Sequence, residues 1–230
     1  MFFKNVLMVM PQFWFGIFNG FSGQSFYEQW QYQVYNLFFT SLPIVWFSIF
    51  DLQFPRKELL ASPKLHYKDV GQLNLLFDRS TFWRYVIQAI LQALFMVFMV
   101  AYCLEYRYIN PLGHTPSFWV LGTIVYCYVV IQVNFEVAYQ SSSHTVMSLL
   151  IQSLSALLFF LFYYGQNLID WIPVLNGTFF YIWLTPPFFL CLFALLATQL
   201  LCHVLYNGAK DTIQRIVKKI RQGSLKAQIR

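Results

Sequence analysis

The sequence predicts an all-α protein that crosses a membrane several times. Of its 230 residues, 58% are hydrophobic and only 10% are charged, whereas a soluble domain has about 45–50% apolar and about 25% charged residues. Apolar runs of about 20 residues, the length that a helix needs to cross the hydrocarbon layer, make up most of the chain. The spans and their connections therefore leave no room for a soluble domain.

Six apolar segments have the length of membrane-spanning helices, and they cover residues 2–21, 31–50, 82–104, 116–138, 145–165 and 180–206. The one long connection, residues 51–81, is a predicted cytoplasmic linker. Residues 207–230 form a basic tail in which isoleucine and valine recur at helical spacing. This pattern is typical of an amphipathic helix on the cytoplasmic membrane surface, and a solvated tail is the alternative.

The positions of the basic residues predict how the bundle is oriented. Thirteen of the fifteen Lys and Arg residues lie in the tail or in the region 51–84, and only Arg107 lies on the opposite side. Lysine and arginine are enriched in cytoplasmic segments, so both termini are predicted to be cytoplasmic. An even number of spans also places both termini on one side, and the two arguments agree.

The cysteines and histidines do not indicate a metal or redox site. All four cysteines lie in apolar runs, which favours a role in helix packing. Their spacing relative to histidine is not that of metal ligands. Nothing in the sequence points to a nucleic-acid partner.

Several polar side chains fall inside the predicted spans. A charged group at the centre of the bilayer costs about 2.5–3.5 kcal/mol, so Lys4 either reaches the cytoplasmic surface or is buried beside a partner. Glu136 is interpreted as an interfacial glutamate that reaches water. The amides of Asn5, Asn36 and Asn134 either form hydrogen bonds between helices or provide a polar track through the bundle.

A family resemblance rests on blocks that occur in order at the right separations: "FFKN", "PQFWFGIFNGFSGQSFYEQW", "YNLFFTSLP" and "IFD". These resemble the fifth and sixth spans of the lipid-flipping (type IV) P-type ATPases. The linker "SPKLHYKDVGQLNLLFDRSTFW" resembles the cytoplasmic loop that follows them. The other four predicted spans fit the family in number and spacing, so the chain is similar to spans five to ten of such an enzyme.

The resemblance implies a phospholipid cargo and a set of site residues. Lys4, Asn5 and Asn36 match family positions beside the path of the lipid headgroup. Ser22, Gly23 and Gln24 match the exoplasmic turn. The resemblance also implies ATP and magnesium in domains outside this chain, and partners that include an N-terminal flippase half and a two-span accessory subunit. The expected location is the plasma membrane or the Golgi and endosomal membranes.

The departures from the family limit what the chain is expected to do alone. It contains no Asp-Lys-Thr-Gly phosphorylation motif, and it lacks the nucleotide-binding domain, the actuator domain and the first four spans. We therefore expect no ATPase activity from the chain by itself, and treat Met1 as either a natural start or a truncation point. The predicted function is the C-terminal membrane module of a flippase. A structural membrane subunit without transport is the alternative, and an independent carrier is disfavoured because no inverted repeat is visible.

Overall fold

The computed structural model describes residues 2–52, 56–61, 78–105, 113, 115–168 and 175–228. Helices form nearly all of these ranges, and the described residues contain no strand. The predicted all-α class is therefore confirmed. Most of the predicted linker 51–81 lies outside the described residues, as do the side chains that would test the amphipathic tail.

The helices follow one another along the chain with two π-helical segments between them. Their bounds are α1 Phe2–Phe18, α2 Gln29–Val34, π1 Tyr35–Phe39, α3 Ser41–Phe50, α4 Arg56–Ala61, α5 Arg79–Val100, π2 Ala101–Glu105, α6 Phe118–Gln140, α7 Val146–Leu168, α8 Thr178–Trp183 and α9 Pro186–Gln228.

Five helical stretches in the described part of the chain are long and apolar enough to cross a membrane. They are Gln29–Phe50, Arg79–Leu104, Phe118–Gln140, Val146–Leu168 and Pro186–Lys210. The first helix has 17 residues and is therefore about 25 Å long, against about 30 Å for the hydrocarbon layer. The multi-pass architecture is confirmed, while the sixth span and the orientation stay predictions.

The segment predicted as the last span, 180–206, is divided between two helices. The short helix α8 ends at Trp183, and α9 begins at Pro186. A proline has no N–H and a φ already suited to a helix, so it fits the first helical position. Helix α7 in turn continues to Leu168, beyond the predicted end at residue 165.

Helix α6 lies at the centre of the bundle. Its first four turns are apolar on every face, which is typical of a helix with neighbours all round, and 15 of its 23 residues are buried. It contacts α1, α3, α5, α7, α8 and α9. The side chains of α6 are therefore placed to hold the other spans in position.

The second span is irregular at its centre because Pro43 follows the π-helical segment Tyr35–Phe39. Pro43 has no N–H to donate to the carbonyl of Phe39, four residues earlier. Two other helices supply the missing donors: Asn134 Nδ2 of α6 lies 3.3 Å from that carbonyl oxygen, and the Ser155 hydroxyl of α7 also donates to it. The break in the helix therefore becomes a joint between three helices.

The connection between α1 and α2 folds back against α6. Phe26, Tyr27 and Glu28 are buried, and the backbone of Phe26 passes directly over Gly122. A Cβ atom added to Gly122 would lie 2.1 Å from the Phe26 carbonyl oxygen. Only a glycine allows this close approach.

Gly122→Ala is expected to destabilise the protein because the Phe26 backbone must move away from α6. Overpacking of this kind costs about 1–3 kcal/mol. The measurement is the thermal unfolding of the detergent-solubilised protein. Gly165→Ala in α7 is the matched control, because a Cβ there meets no atom within 4 Å. Equal melting temperatures for the two variants would contradict the packing described.

Candidate functional site

Lys4 is buried where α1 crosses the π-helical segment of the second span. Its side chain is 9% exposed, and Nζ donates a hydrogen bond to Thr40 Oγ1 at 3.1 Å. The ring centroid of Tyr35 lies 5.9 Å from Nζ, and the Tyr35 hydroxyl donates to the Lys4 carbonyl at 3.0 Å. The lysine therefore does not reach the surface, and its contacts join the first two spans.

The charge of Lys4 has no anionic partner among the described residues. The ion pair found in that part of the chain joins His203 and Glu136, and no described carboxylate oxygen lies within 4.0 Å of Lys4 Nζ. An ammonium group has three donors, and Thr40 accepts one of its hydrogen bonds. The site is thus a buried cation that the described protein leaves without a counter-charge.

The other two predicted lipid-path residues point away from the bundle. Asn5 and Asn36 are exposed, and neither side chain forms a hydrogen bond to a described residue. Asn134 differs from them, because its amide bonds to the Phe39 carbonyl inside the bundle. Asn134 therefore has the helix-joining role considered from the sequence, and the lipid-path role of Asn5 and Asn36 stays a prediction.

A groove of about 480 Å³ separates the outer faces of α1 and α2. Val9, Gln12 and Phe13 line it from α1, and Gln29 and Tyr32 line it from the second span. Neither asparagine lines this groove: Asn5 lies one helical turn before Val9, and Asn36 lies in the π-helical segment four residues after Tyr32. We call Asn5, Gln12, Gln29 and Asn36 the outer stripe.

The predicted exoplasmic turn is exposed and held by local hydrogen bonds. Asn19 Oδ1 accepts from the Ser22 N–H at 3.4 Å, and the Ser22 hydroxyl oxygen accepts from the Gln24 N–H at 3.4 Å. Gly20 and Gly23 have φ values of 64° and 82°, which glycine adopts without strain. Asn19 therefore stabilises the turn after α1, and Gln24 Nε2 donates to the Ser25 carbonyl at 3.1 Å.

The expectation that Glu136 reaches water was wrong. Its side chain is 3% exposed and accepts hydrogen bonds at 2.7 Å from Gln140 Nε2 and from Gln199 Nε2. His203 Nε2 lies 2.8 Å from Glu136 Oε2, and its ring stacks on Tyr139 with centroids 4.2 Å apart. This cluster fastens the central helix α6 to α9.

Sequence reasoning missed His203 and Gln199, although the sequence carries a signal for them. Gln132, Glu136 and Gln140 recur at intervals of four residues in α6, and Gln199 and His203 do so in α9. Residues four apart lie on one face of a helix. Two such polar faces in apolar helices indicate that the helices pack against each other there.

Asp51 links the end of α3 to the turn between α6 and α7. Its Oδ1 accepts from the N–H groups of Ser142 and Ser143, each at 2.9 Å. It also accepts from the hydroxyls of Ser141 at 3.1 Å and Ser143 at 3.0 Å. Partial burial raises the pKa of Asp51, but the hydrogen bonds from Ser143, Ser141 and Ser142 outweigh it and hold the pKa below its ordinary value.

These features define a multi-pass helical membrane protein in which a buried lysine has no carboxylate partner among the described residues. Comparison with known proteins makes the class more specific. The family of the phospholipid-translocating P-type ATPase C-terminal region matches residues 1–215. The chain belongs to this family, which confirms the resemblance inferred from the sequence.

Individual relatives agree with the family match. The chain is 40% identical over 98 residues, 43% of its length, to phospholipid-transporting ATPase ID of Homo sapiens, and covers 8% of that protein. It is 34% identical over 166 residues, 71% of its length, to phospholipid-transporting ATPase DRS2 of Saccharomyces cerevisiae, and covers 12% of it. It is 27% identical over 236 residues, 96% of its length, to phospholipid-transporting ATPase IC of Xenopus tropicalis, and covers 19% of it. The chain thus spans less than a fifth of the length of these relatives.

The stability of the protein is expected to depend on the ionisation of Asp51. The pKa of Asp51 is lower in the folded state than in an unfolded chain, where it is about 3.9. The contribution of ionised Asp51 to the stability of the fold is therefore fully present above about pH 4. It is lost as the pH falls through the folded-state pKa of Asp51. Melting temperatures measured at decreasing pH should fall less steeply below about pH 4 in Asp51→Asn than in the wild type.

Two serine variants serve as a matched pair for this test. Ser143→Ala removes a hydroxyl donor to Asp51 and should cost about 1 kcal/mol or less at neutral pH. Ser142→Ala retains the backbone N–H that bonds to Asp51, so its melting temperature should equal that of the wild type. Equal values for both variants would contradict the role of Asp51.

Proposed function

We propose that the chain works as the C-terminal membrane module of a phospholipid flippase and forms one wall of the path taken by the lipid headgroup. Lys4 and the outer stripe are the parts of this wall that meet the headgroup. ATP and magnesium act in domains outside these 230 residues. The observation that carries the proposal is the burial of Lys4 without a carboxylate partner among the described residues.

A buried cation of this kind favours an anionic ligand. Burying a charge is costly unless it is paired, and the Thr40 hydroxyl and the Tyr35 ring compensate only part of the charge of Lys4. A phospholipid carries an anionic phosphate, and a lysine ammonium meets it as a compact charge with rotatable donors. A passing phosphate would complete the environment of Lys4 without a permanent counter-ion that would compete with it.

The outer stripe supplies hydrogen bonds without further charge. Its four side chains are amides, and each amide offers both donors and an acceptor. Gln12 and Gln29 line the groove, and Asn5 and Asn36 are exposed four residues from Val9 and Tyr32, which also line it. Weak, repeated hydrogen bonds of this kind let a headgroup move on, whereas a second fixed charge would retain it.

The outer faces of α1 and α2 also suggest where partners bind. They combine exposed apolar residues with the amides of the outer stripe, which is consistent with packing against further flippase spans that form the opposite wall. An N-terminal flippase half would supply those spans and the ATP-driven domains, and a two-span accessory subunit is the second proposed partner. The proposed location is the plasma membrane or the Golgi and endosomal membranes.

A structural role without transport is the alternative function. The hydrogen bonds between Lys4 and Thr40 and between Tyr35 and the Lys4 carbonyl also join the first two spans. On this alternative, replacement of Lys4 affects insertion or assembly, and replacement of the exposed Asn36 has no effect. The two functions therefore differ in what they predict for Asn36.

Lys4→Ala and Asn36→Ala are expected to reduce lipid transport by the assembled flippase while leaving its amount nearly unchanged. Each removes a group that meets the headgroup, and loss of a hydrogen bond to a charged group is worth about 1.5–3 kcal/mol, or roughly tenfold or more in rate. The measurement is uptake of a fluorescent phospholipid, normalised to assembled complex.

Leu37→Ala is the matched control for Asn36. Leu37 is the next residue along the chain and is 64% exposed, so its replacement tests general disturbance of the same surface. Normal uptake by both alanine variants would rule out the proposed lipid path. Reduced assembly with normal uptake per complex would favour the structural subunit.

The chain purified without partners is expected to show no vanadate-sensitive ATP hydrolysis. Phosphorylation in P-type ATPases needs the aspartate of the Asp-Lys-Thr-Gly motif, which these 230 residues do not contain. Phosphate release is the measurement, with a complete flippase as the positive control. Vanadate-sensitive hydrolysis by the pure chain would end this interpretation.

A further inference from the structure

Thr40 lies at the break in the second span, between the π-helical segment that ends at Phe39 and helix α3, which begins at Ser41. Its side chain is only 1% exposed. Its backbone angles, φ −136° and ψ −8°, are not those of a helix. At this break the hydroxyl of Thr40 meets α1, where Lys4 Nζ donates to it at 3.1 Å.

The direction of the hydrogen bonds at Thr40 follows from the groups that it contacts. The Thr40 hydroxyl donates its one hydrogen to the Tyr35 carbonyl at 3.0 Å. A lysine ammonium has three donors and no acceptor, so the Thr40 oxygen can only accept from Lys4. Because its own hydrogen is already bonded, the hydroxyl presents lone pairs alone to the ammonium.

Tyr35 completes a closed set of contacts around Lys4. Its carbonyl accepts from Thr40, and its hydroxyl donates to the Lys4 carbonyl at 3.0 Å. Its ring centroid lies 5.9 Å from Lys4 Nζ, and the residue is 1% exposed. Both the backbone and the ammonium of Lys4 are thus attached to the same π-helical segment.

That segment is itself attached to the rest of the bundle. The carbonyl of Phe39, the residue before Thr40, accepts hydrogen bonds from Asn134 of α6 and Ser155 of α7. The buried ring of Phe39 also meets the Phe159 ring edge-on, with centroids 5.4 Å apart. The Thr40 oxygen therefore has a defined position relative to α6 and α7.

A neutral acceptor suits a lysine that must bind an anion. The ammonium of Lys4 ends a flexible four-carbon stem, so an acceptor at a defined position is needed to orient it. A carboxylate would orient the ammonium but would also neutralise its charge. The Thr40 hydroxyl orients it, keeps its charge, and leaves two of its three donors for a ligand.

We propose that Thr40 is the positioning residue for Lys4: its hydroxyl oxygen holds the Lys4 ammonium where it meets the phosphate of a phospholipid. This inference rests on the proposed lipid path, and it assigns to the hydroxyl a role that the methyl group of Thr40 does not share. A Thr40 that only joined helices would affect the amount of assembled flippase. It would leave the dependence of uptake on lipid concentration, measured per complex, unchanged.

Replacement of the hydroxyl alone tests the proposal. Thr40→Val keeps the shape of the side chain and removes the acceptor, whereas Thr40→Ser keeps the hydroxyl and removes the methyl group. The initial rate of uptake of fluorescent phosphatidylserine or phosphatidylcholine, whichever the wild-type flippase takes up faster, is measured at increasing lipid concentration and normalised to assembled complex. Because a displaced binding group lowers affinity, Thr40→Val is expected to raise the half-saturating lipid concentration by more than about threefold, and Thr40→Ser is expected to stay within that limit.

Thr123→Val is the matched control. Thr123 is a threonine of α6 that is 3% exposed, and its hydroxyl likewise donates to a backbone carbonyl, that of Trp119, at 2.8 Å. Its half-saturating lipid concentration should equal that of the wild type. Should Thr40→Val fail to assemble, Thr40→Cys takes its place, because a thiol is only a weak acceptor.

The Lys4→Ala variant separates failure of this inference from failure of the proposed lipid path. Normal uptake by Lys4→Ala overturns the lipid path and the inference with it. Impaired uptake by Lys4→Ala together with a threefold rise or less in Thr40→Val overturns the inference alone. An equal rise in Thr40→Ser or Thr123→Val also overturns it. So does an equal rise when Thr40→Val is added to Lys4→Ala, because the effect of Thr40 would then not pass through Lys4.

Discussion

Inside a bilayer, a backbone carbonyl that loses its helical donor must find another donor in the protein, and the carbonyl of Phe39 shows how this constraint shapes the bundle. Pro43 removes the donor, and Asn134 and Ser155 replace it from α6 and α7. The same irregular segment presents Thr40 to Lys4. One proline thus fixes the positions of three helices and creates the surroundings of the candidate lipid-binding lysine.

Helix α6 forms polar contacts with neighbouring helices on two opposite sides. Towards the second span, Tyr126 donates its hydroxyl hydrogen to the Gln31 carbonyl at 2.6 Å, and Asn134 bonds to Phe39. Towards α9, Tyr128 donates to the Phe188 carbonyl at 2.8 Å, and Glu136 binds His203. Apolar contacts between helices gain little over contacts with lipid, so polar contacts of this kind determine which helices are neighbours. The outward groove of the second span is therefore held in place from within by α6.

The sequence predicted the helical class and the family, because long apolar runs and ordered residue blocks are direct signals of both. It did not distinguish Asn134, which bonds inside the bundle, from Asn5 and Asn36, which face outward. Helical spacing shows which residues share a face, but a face turned to lipid and a face turned to another helix are equally apolar. For the same reason Glu136 was assigned to the interface, since its partners Gln199 and His203 are more than sixty residues away in the chain.

Lys4 and Glu136, two of the buried charged residues in the described part of the chain, have opposite environments, and the difference bears on function. Glu136 accepts hydrogen bonds from two glutamine amides and lies beside His203, so its charge is used within the protein to join helices. Lys4 has a hydroxyl and an aromatic ring but no carboxylate among its described neighbours. A permanent counter-ion at Lys4 would make the helix joint stronger, yet it would also neutralise the charge that an arriving phosphate must find. On the proposed function, the weaker joint at Lys4 leaves its charge open to an anion that binds only in passing.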